Sequence, residues 1–189
     1  MSGYSGAGTV AGAQDADGQP RTVPKVSAES LKGGVRPYAL TDHIHEREAG
    51  VHLSHLLPAG ADGIKVAFVP IVAPWFSGII SVLSMPLSES LPARELKALY
   101  EKKYAEEKLV SIQNEIVEVK DVQDQHGWVV GGFQVHSQGD RAVVVVGAMP
   151  RRIAVFLKLI VLLLGRFRQP PKRCCDPVSP GAMSSLVVV

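Results

Sequence analysis

Short apolar segments rich in β-branched residues recur between residues 64 and 146, and this pattern restricts the fold more than any other feature of the chain. Runs of this kind, bounded by Gly, Pro, Asp and Ser, are typical of β-strands. Together with two helical segments they form an α+β pattern, dominated by a sheet with helices on one face. The predicted strands are 64–72, 77–87, 109–112, 116–119, 128–136 and 141–146, with a hairpin turn at 137–140.

Two segments have the character of helices. The first is predicted from residue 43 to about 57, with Thr41 and Asp42 as N-caps and two acids in its early turns, where they suit the positive end of a helix. The second is predicted over 92–105, because proline suits a helix start and apolar side chains follow at helical spacing. Its predicted apolar face consists of Leu96, Leu99, Tyr100 and Tyr104.

The charges divide the chain near residue 147. Residues 1–146 contain 13 Lys and Arg and 17 Asp and Glu, whereas residues 147–189 contain seven Lys and Arg and one acid. A change of sign of this kind indicates a boundary. The whole-chain net charge of +2 gives no reason to expect a nucleic-acid partner. Residues 1–24 are predicted to be a glycine-rich loop and a flexible segment, because they are rich in small and polar residues and have no periodic apolar pattern. The change of charge then separates a domain over 25–146 from a basic tail over 147–189 that is irregular or helical.

Four of the six histidines, His43, His45, His52 and His55, lie close together in the first predicted helix. Imidazole titrates near neutral pH, so the cluster suits acid–base chemistry or metal binding. Three interpretations remain open. His52, His55 and Glu48 could share a helix face and bind zinc, although no H-E-x-x-H motif or nearby cysteine accompanies them. The histidines could instead be solvated groups paired with neighbouring acids, or one could be a catalytic base oriented by a carboxylate.

Several segments together form a specific combination of motifs: residues 2–9 (SGYSGAGT), 36–48 (RPYALTDHIHERE), 68–80 (FVPIVAPWFSGII), 104–109 (YAEEKL), 127–128 (GW), 131–137 (GGFQVHS) and 141–146 (RAVVVV). This combination resembles the second domain of N-acetyl-gamma-glutamyl-phosphate reductase, in its fungal mitochondrial type. The resemblance covers about residues 1–146. It implies a fold like the C-terminal domain of glyceraldehyde-3-phosphate dehydrogenase, which is a mostly antiparallel mixed sheet with helices packed on one face.

The resemblance also implies a reaction. In the family, a cysteine thiolate attacks N-acetyl-glutamyl phosphate, phosphate leaves, and NADPH reduces the thioester to N-acetylglutamate semialdehyde, a step of arginine biosynthesis. Family members carry His-Arg-His with a glutamate five residues after the first histidine. His43, His45 and Glu48 reproduce that spacing, with Ile44 in place of the arginine. One of the two histidines is thus implied to be catalytic, with Glu48 as its partner, and the sequence does not indicate which one. The loop implied to lie near substrate or cofactor comprises Ser5, Gly6, Ala7 and Gly8, together with Tyr38.

The same resemblance implies partners and a location. It implies a homo-oligomer formed through the sheet, and we expect no membrane partner. Nucleic acid is not expected either, because the basic run lacks interleaved aromatic residues apart from Phe156 and Phe167. The resemblance implies the mitochondrial matrix, although no transit-peptide pattern opens the chain, and the cytoplasm is the alternative. No cysteine precedes Cys174, so we expect this chain alone to be inactive as a reductase, and a truncated gene model is one hypothesis for its origin.

The basic tail supports an alternative function, a non-catalytic module at a membrane surface. Its apolar segment 153–164 is too short to span a bilayer, which takes about 20 residues. Flanking arginines and a palmitoylated Cys174–Cys175 pair could nevertheless hold such a segment at the surface.

Overall fold

The computed structural model describes residues 1–3, 28–55 and 63–149, and the backbone of residues 185–188. These residues form one mixed sheet with helices beside it. The strands are β1 (Ser2–Gly3), β2 (Arg36–Pro37), β3 (Lys65–Phe68), β4 (Ile71–Ala73), β5 (Ile79–Pro86), β6 (Val110–Ile112), β7 (Trp128–Val135), β8 (Arg141–Ala148) and β9 (Ser185–Val188). The helices are α1 (Ala28–Leu31), α2 (Ile44–Ser54) and α3 (Ala93–Tyr104), and Val119–Asp121 forms a 3-10 turn.

Antiparallel pairing holds the middle of the sheet together. The order is β2-β4-β1-β5-β8-β7-β6, and β9 lies between β5 and β3. Strand β8 pairs with β5 over eight consecutive positions and with β7 as a hairpin that contains a bulge between Gly131 and Gln134. Parallel pairs occur only at three places in the described sheet, β1–β4, β6–β7 and β3–β9. The mostly antiparallel mixed sheet expected from the resemblance is therefore confirmed.

Helices α2 and α3 share one hydrophobic core on one face of the sheet, as predicted. Leu53 from α2 and Leu96 and Tyr100 from α3 are almost fully buried, with Leu83 and Val144 from the central strands below them. The predicted apolar face of α3 is wrong at one position, because Leu99 is 48% exposed. Leu96, Tyr100 and Tyr104 lie four residues apart and share one narrow stripe, and Leu99 falls outside that stripe.

The segment between β6 and β7 covers part of the other face. Val117 and Val122 pack against Val145 there, and no strand forms at the predicted 116–119. The backbones approach each other closely at this point: a Cβ on Gly131 would collide with the carbonyl oxygen of Glu115. A segment that crosses the sheet face this closely packs its valine side chains onto the sheet. It does not pair as a further strand of that sheet.

Two other predicted strands have different bounds. The predicted strand 64–72 is two strands, β3 and β4, separated by Val69 and Pro70, because proline has no N–H to donate to a ladder. The last hairpin strand continues two residues past the predicted end at 146, since Gly147 and Ala148 still pair with β5. Strand β5, helix α3 and the β7–β8 hairpin lie where the sequence predicted them.

The basic tail departs from the prediction where it is described. Residues 185–188 were expected to be irregular or helical, and they form β9 instead, paired on both sides. A run of leucine and valine has high β-propensity, and two open strand edges give it a ladder on each side. The apolar segment 153–164 and the two cysteines lie outside the described residues. Within the described part of the chain, no helix is long and apolar enough to cross a membrane.

Candidate functional site

The start of α2 is built around His43, which is the N-cap of the helix. Its backbone is extended (φ −63°, ψ 141°), and its Nδ1 accepts the backbone N–H of His45 at 3.2 Å. An N-cap residue requires this extended conformation, and its side chain satisfies one of the first free N–H groups of the helix. Asp42 has φ +60°, in the left-handed region. The prediction that Thr41 and Asp42 are the caps is therefore wrong.

His45 and Glu48 form the closest polar pair of the site. The Nδ1 of His45 lies 2.7 Å from a carboxylate oxygen of Glu48, one turn further along α2. The two side chains are 28% and 45% exposed, so the pair lies at the surface rather than in the core. Spacing of i and i+3 places both side chains on one side of the helix, which is why the pair forms locally.

Three rings lie close to His43. The ring centre of His43 is 4.9 Å from that of His45, 5.2 Å from that of Phe68 and 5.9 Å from that of Tyr38. Partial burial lowers the pKa of His43 below its ordinary value, and His45 lowers this pKa further, against an opposing effect of Glu48. Burial also raises the pKa of the Tyr38 hydroxyl. At neutral pH His43 is therefore held in its neutral form.

The hydrogen bonds favour opposite tautomers for the neutral forms of the two rings. Since Nδ1 of His43 accepts an N–H, that nitrogen carries no proton and the proton is on Nε2. Since Nδ1 of His45 faces a carboxylate, which can only accept, the proton of neutral His45 is on Nδ1. His45 thus has a free lone pair on Nε2, whereas His43 presents a donor. Two neighbouring rings offer one base and one donor to a molecule bound at this surface.

The remaining candidates lie in different places. Ser5, Gly6, Ala7 and Gly8 are outside the described residues. Tyr38 lies next to His43, as given above, and its backbone N–H bonds to the carbonyl of Pro70. The proposed zinc residues do not come together around Glu48, because Glu48 binds His45 while His52 contacts His55, with ring centres 6.3 Å apart. Among residues 1–3, 28–55 and 63–149, no group of three His, Cys, Asp or Glu is arranged to hold a metal.

Sequence reasoning missed Phe68. It follows Val66 at strand spacing in β3, and both residues lie on the side of the strand that packs into the core. The sequence placed Phe68 in a predicted strand. Its position against the histidines could not be predicted, because it depends on how β3 packs on α2.

Three comparisons with known proteins relate this site to a family. Residues 1–149 match the family described as "Semialdehyde dehydrogenase, dimerisation domain". "Protein arg-6, mitochondrial" of Neurospora crassa is 40% identical over 144 residues, which are 76% of this chain and 14% of that protein. An N-acetyl-gamma-glutamyl-phosphate reductase of Xanthomonas axonopodis pv. citri is 35% identical over 149 residues, 79% of this chain and 40% of that enzyme. A solved aspartate semialdehyde dehydrogenase from Francisella tularensis is 14% identical, with a TM-score of 0.48 over 68% of this chain and 40% of the other.

The family match, over residues 1–149, includes the histidine site and the strands from β1 to β8. The chain spans 14% of the length of the Neurospora protein and 40% of that of the Xanthomonas enzyme. Fungal relatives from Neurospora, Candida and Schizosaccharomyces are all labelled mitochondrial. The resemblance found in the sequence motifs is confirmed by these matches: the chain belongs to the semialdehyde dehydrogenase dimerisation-domain family.

Proposed function

We propose that this chain is the acid–base and dimerisation domain of an N-acetyl-gamma-glutamyl-phosphate reductase, acting on N-acetyl-glutamyl phosphate in arginine biosynthesis. Its membership of the dimerisation-domain family and its similarity to the Xanthomonas reductase support this proposal. The observation that carries it is the 2.7 Å contact between His45 and Glu48, beside a second histidine with the opposite tautomer. Such a pair is what a reaction with several proton transfers requires.

His45 is proposed as the general base. Glu48 holds the proton of His45 on Nδ1 and leaves the lone pair of Nε2 free to accept a proton from a thiol. The resulting imidazolium is stabilised by the same carboxylate, and it can return the proton to the oxygen on which charge develops when the thioester is reduced. A positioned base of this kind contributes roughly 10²–10⁴-fold to a rate.

His43 is proposed as a hydrogen-bond donor to the substrate. Its Nδ1 is used by the helix, so Nε2–H is the ring group left to donate, and burial keeps the ring neutral. A neutral donor can polarise a carbonyl without becoming a competing acid next to His45. The ring separation of 4.9 Å allows both imidazoles to contact the same small substrate. The proposal therefore gives the two histidines different roles, which the sequence alone left open.

The thiol and the cofactor belong to other polypeptide segments in this proposal. The only cysteines are Cys174 and Cys175, outside the described residues. NADP, the family's hydride donor, normally binds a strand, a glycine-rich loop and a helix N-terminus in a parallel βαβ unit. In the described residues, the β6–β7 parallel connection contains only a 3-10 turn, and the β1–β4 connection runs from β1 directly into residues outside the described part of the chain. The described residues alone therefore form no dinucleotide-binding unit, and the proposal gives them no contact with the cofactor.

A graft tests the proposed activity. The full chain, including β9, replaces the matching segment of the Neurospora relative, and the hybrid is expressed in a reductase-deficient arginine auxotroph. Growth without arginine is expected, because the two proteins are 40% identical over 144 residues. A hybrid that is folded and abundant but fails to support growth, where the parent protein succeeds, would contradict the proposal.

We further propose that the domain forms a homo-oligomer through the sheet face opposite α2 and α3, and that it acts in the mitochondrial matrix. The family description and the mitochondrial labels of the fungal relatives support these two points. On that face Val82 is 38% exposed at the middle of β5.

Sedimentation equilibrium of the full chain is expected to give a dimer, and Val82→Glu is expected to give monomers. Leu99→Glu, on exposed α3 surface, is the control. A wild-type monomer at micromolar concentration would refute the interface.

A further inference from the structure

Strand β3 depends on β9 for its place in the sheet. Among the described strands, β9 is the only one that pairs with β3, in parallel register from Lys65 with Ser185 to Phe68 with Val188. On its other side β9 pairs antiparallel with β5, where Leu83 and Ser84 lie opposite Val188 and Val187. Residues distant in sequence therefore connect β3 to the central strand of the sheet.

Strand β3 in turn contains Phe68, which lies against the histidine site. Phe68 contacts the rings of His43 and His45, with centres 5.2 Å and 6.4 Å apart. Val66, two residues earlier, is buried in the core under α2. The residue of β9 opposite Phe68 is Val188, so the backbone that holds Phe68 is paired directly at that position.

We propose that β9 and Phe68 act together as a positioning unit for the histidine pair, in which pairing of Ser185–Val188 with β3 holds the phenyl ring against His43 and His45. The proposal rests on the proposed function only where it calls the pair an acid–base site. Phe68 is a positioning residue, since it touches the two histidines and supplies no proton. A loose Phe68 would let water reach His43 and would free its ring to leave the N-cap geometry.

The surroundings of His43 make its titration a direct readout. The titratable groups that face it are His45 and Glu48 on α2 and Tyr38 before the helix. The only charged residue of β3 is Lys65, at the far end of the strand, and β9 has none. Burial is the largest cause of the lowered pKa of His43, so removal of the apolar cover moves that pKa upward toward 6.5. Substitutions of Val187 by proline or threonine add or remove no charged side chain.

A pair of substitutions in β9 tests the unit in the full chain. Val187→Pro removes a ladder N–H in a strand that is flanked on both sides, whereas Val187→Thr keeps both the N–H and the β-branched shape. NMR titration of the histidine ring protons is expected to give an upward shift for His43 in the proline variant and none in the threonine variant. Amide hydrogen exchange in β3 is expected to accelerate by about tenfold or more, with the β7–β8 hairpin unaffected. Ser111→Pro, in the edge strand β6 at the other end of the sheet, is the matched proline control and leaves His43 unchanged.

Substitution of Phe68 provides a second test, which can be carried out even if Val187→Pro does not fold. Phe68→Ala is expected to raise the pKa of His43, and Phe68→Leu, which retains apolar cover, is expected to restore most of the wild-type titration. An unchanged His43 titration in Phe68→Ala, or equal shifts in the alanine and leucine variants, would overturn the proposal. These readouts require no catalysis, so they fail or succeed separately from the proposed reductase function.

Discussion

Replacing His45 with asparagine is expected to lower kcat by about 10²–10⁴-fold in a reductase assembled with this domain. Asparagine retains a polar side chain of similar reach, but it has no group that accepts a proton at neutral pH. The hybrid that carries the full chain provides the assay, in which aldehyde formation is followed through oxidation of NADPH. KM is expected to change much less than kcat, because the missing proton transfer belongs to the transition state.

Glu48→Gln changes the tautomer of His45 while the imidazole itself stays in place. An amide can donate to Nδ1 of His45, which would place the ring proton on Nε2 and remove the free lone pair. Activity is therefore expected to fall even though the helix and the contact survive. His55→Asn is the control, because His55 is an exposed histidine at the end of the same helix and takes no part in the pair. If His43→Asn abolished activity while His45→Asn stayed within a few-fold of wild type, the two proposed roles would be exchanged.

The sequence identified the members of the histidine site but not their roles. His43, His45 and Glu48 are close in the chain, and helical spacing alone brings His45 to Glu48. The roles depend on where the helix begins. Placing the cap at Thr41 and Asp42 left both histidines equivalent, whereas the extended backbone of His43 makes its Nδ1 the capping acceptor. Histidine is an uncommon N-cap, so propensity favoured the wrong residues.

Elements held by local contacts were predictable, and elements held by distant pairing were not. The β7–β8 hairpin has a short polar turn between two apolar runs, and α3 has a regular apolar stripe. Strand β9, by contrast, follows a long basic and proline-rich stretch and pairs with strands about 100 residues earlier in the chain. The segment at 116–119 has strand composition, but the glycines at 131 and 147 leave room for the side chain of Val117 across the sheet face. Neither the pairing of β9 nor the packing of 116–119 on the sheet face can be predicted from the residues around these segments.

Replacing Leu96 with alanine is expected to lower the free energy of unfolding by about 2–5 kcal/mol. Leu96 is fully buried between α3 and the sheet, in the core cluster that also contains Tyr100 and Leu53. Truncation leaves a cavity that the flanking strands cannot close, because each is fixed by pairing on both sides. Since domains of this size are stable by about 5–15 kcal/mol, the loss is a large fraction of the total. Urea unfolding followed by circular dichroism measures it as a lower midpoint.

Leu99→Ala is the matched control for this prediction. The substitution removes the same atoms from the same helix, and it changes intrinsic helix propensity by the same amount. Leu99 is 48% exposed, so its truncation is expected to cost less than about 1 kcal/mol. The difference in unfolding free energy between the two variants therefore measures the effect of burial alone. Equal losses for the two variants would mean that α3 buries a wider face than the stripe of Leu96, Tyr100 and Tyr104. A loss for Leu99→Ala that grows with protein concentration would place Leu99 in a contact between copies of the chain.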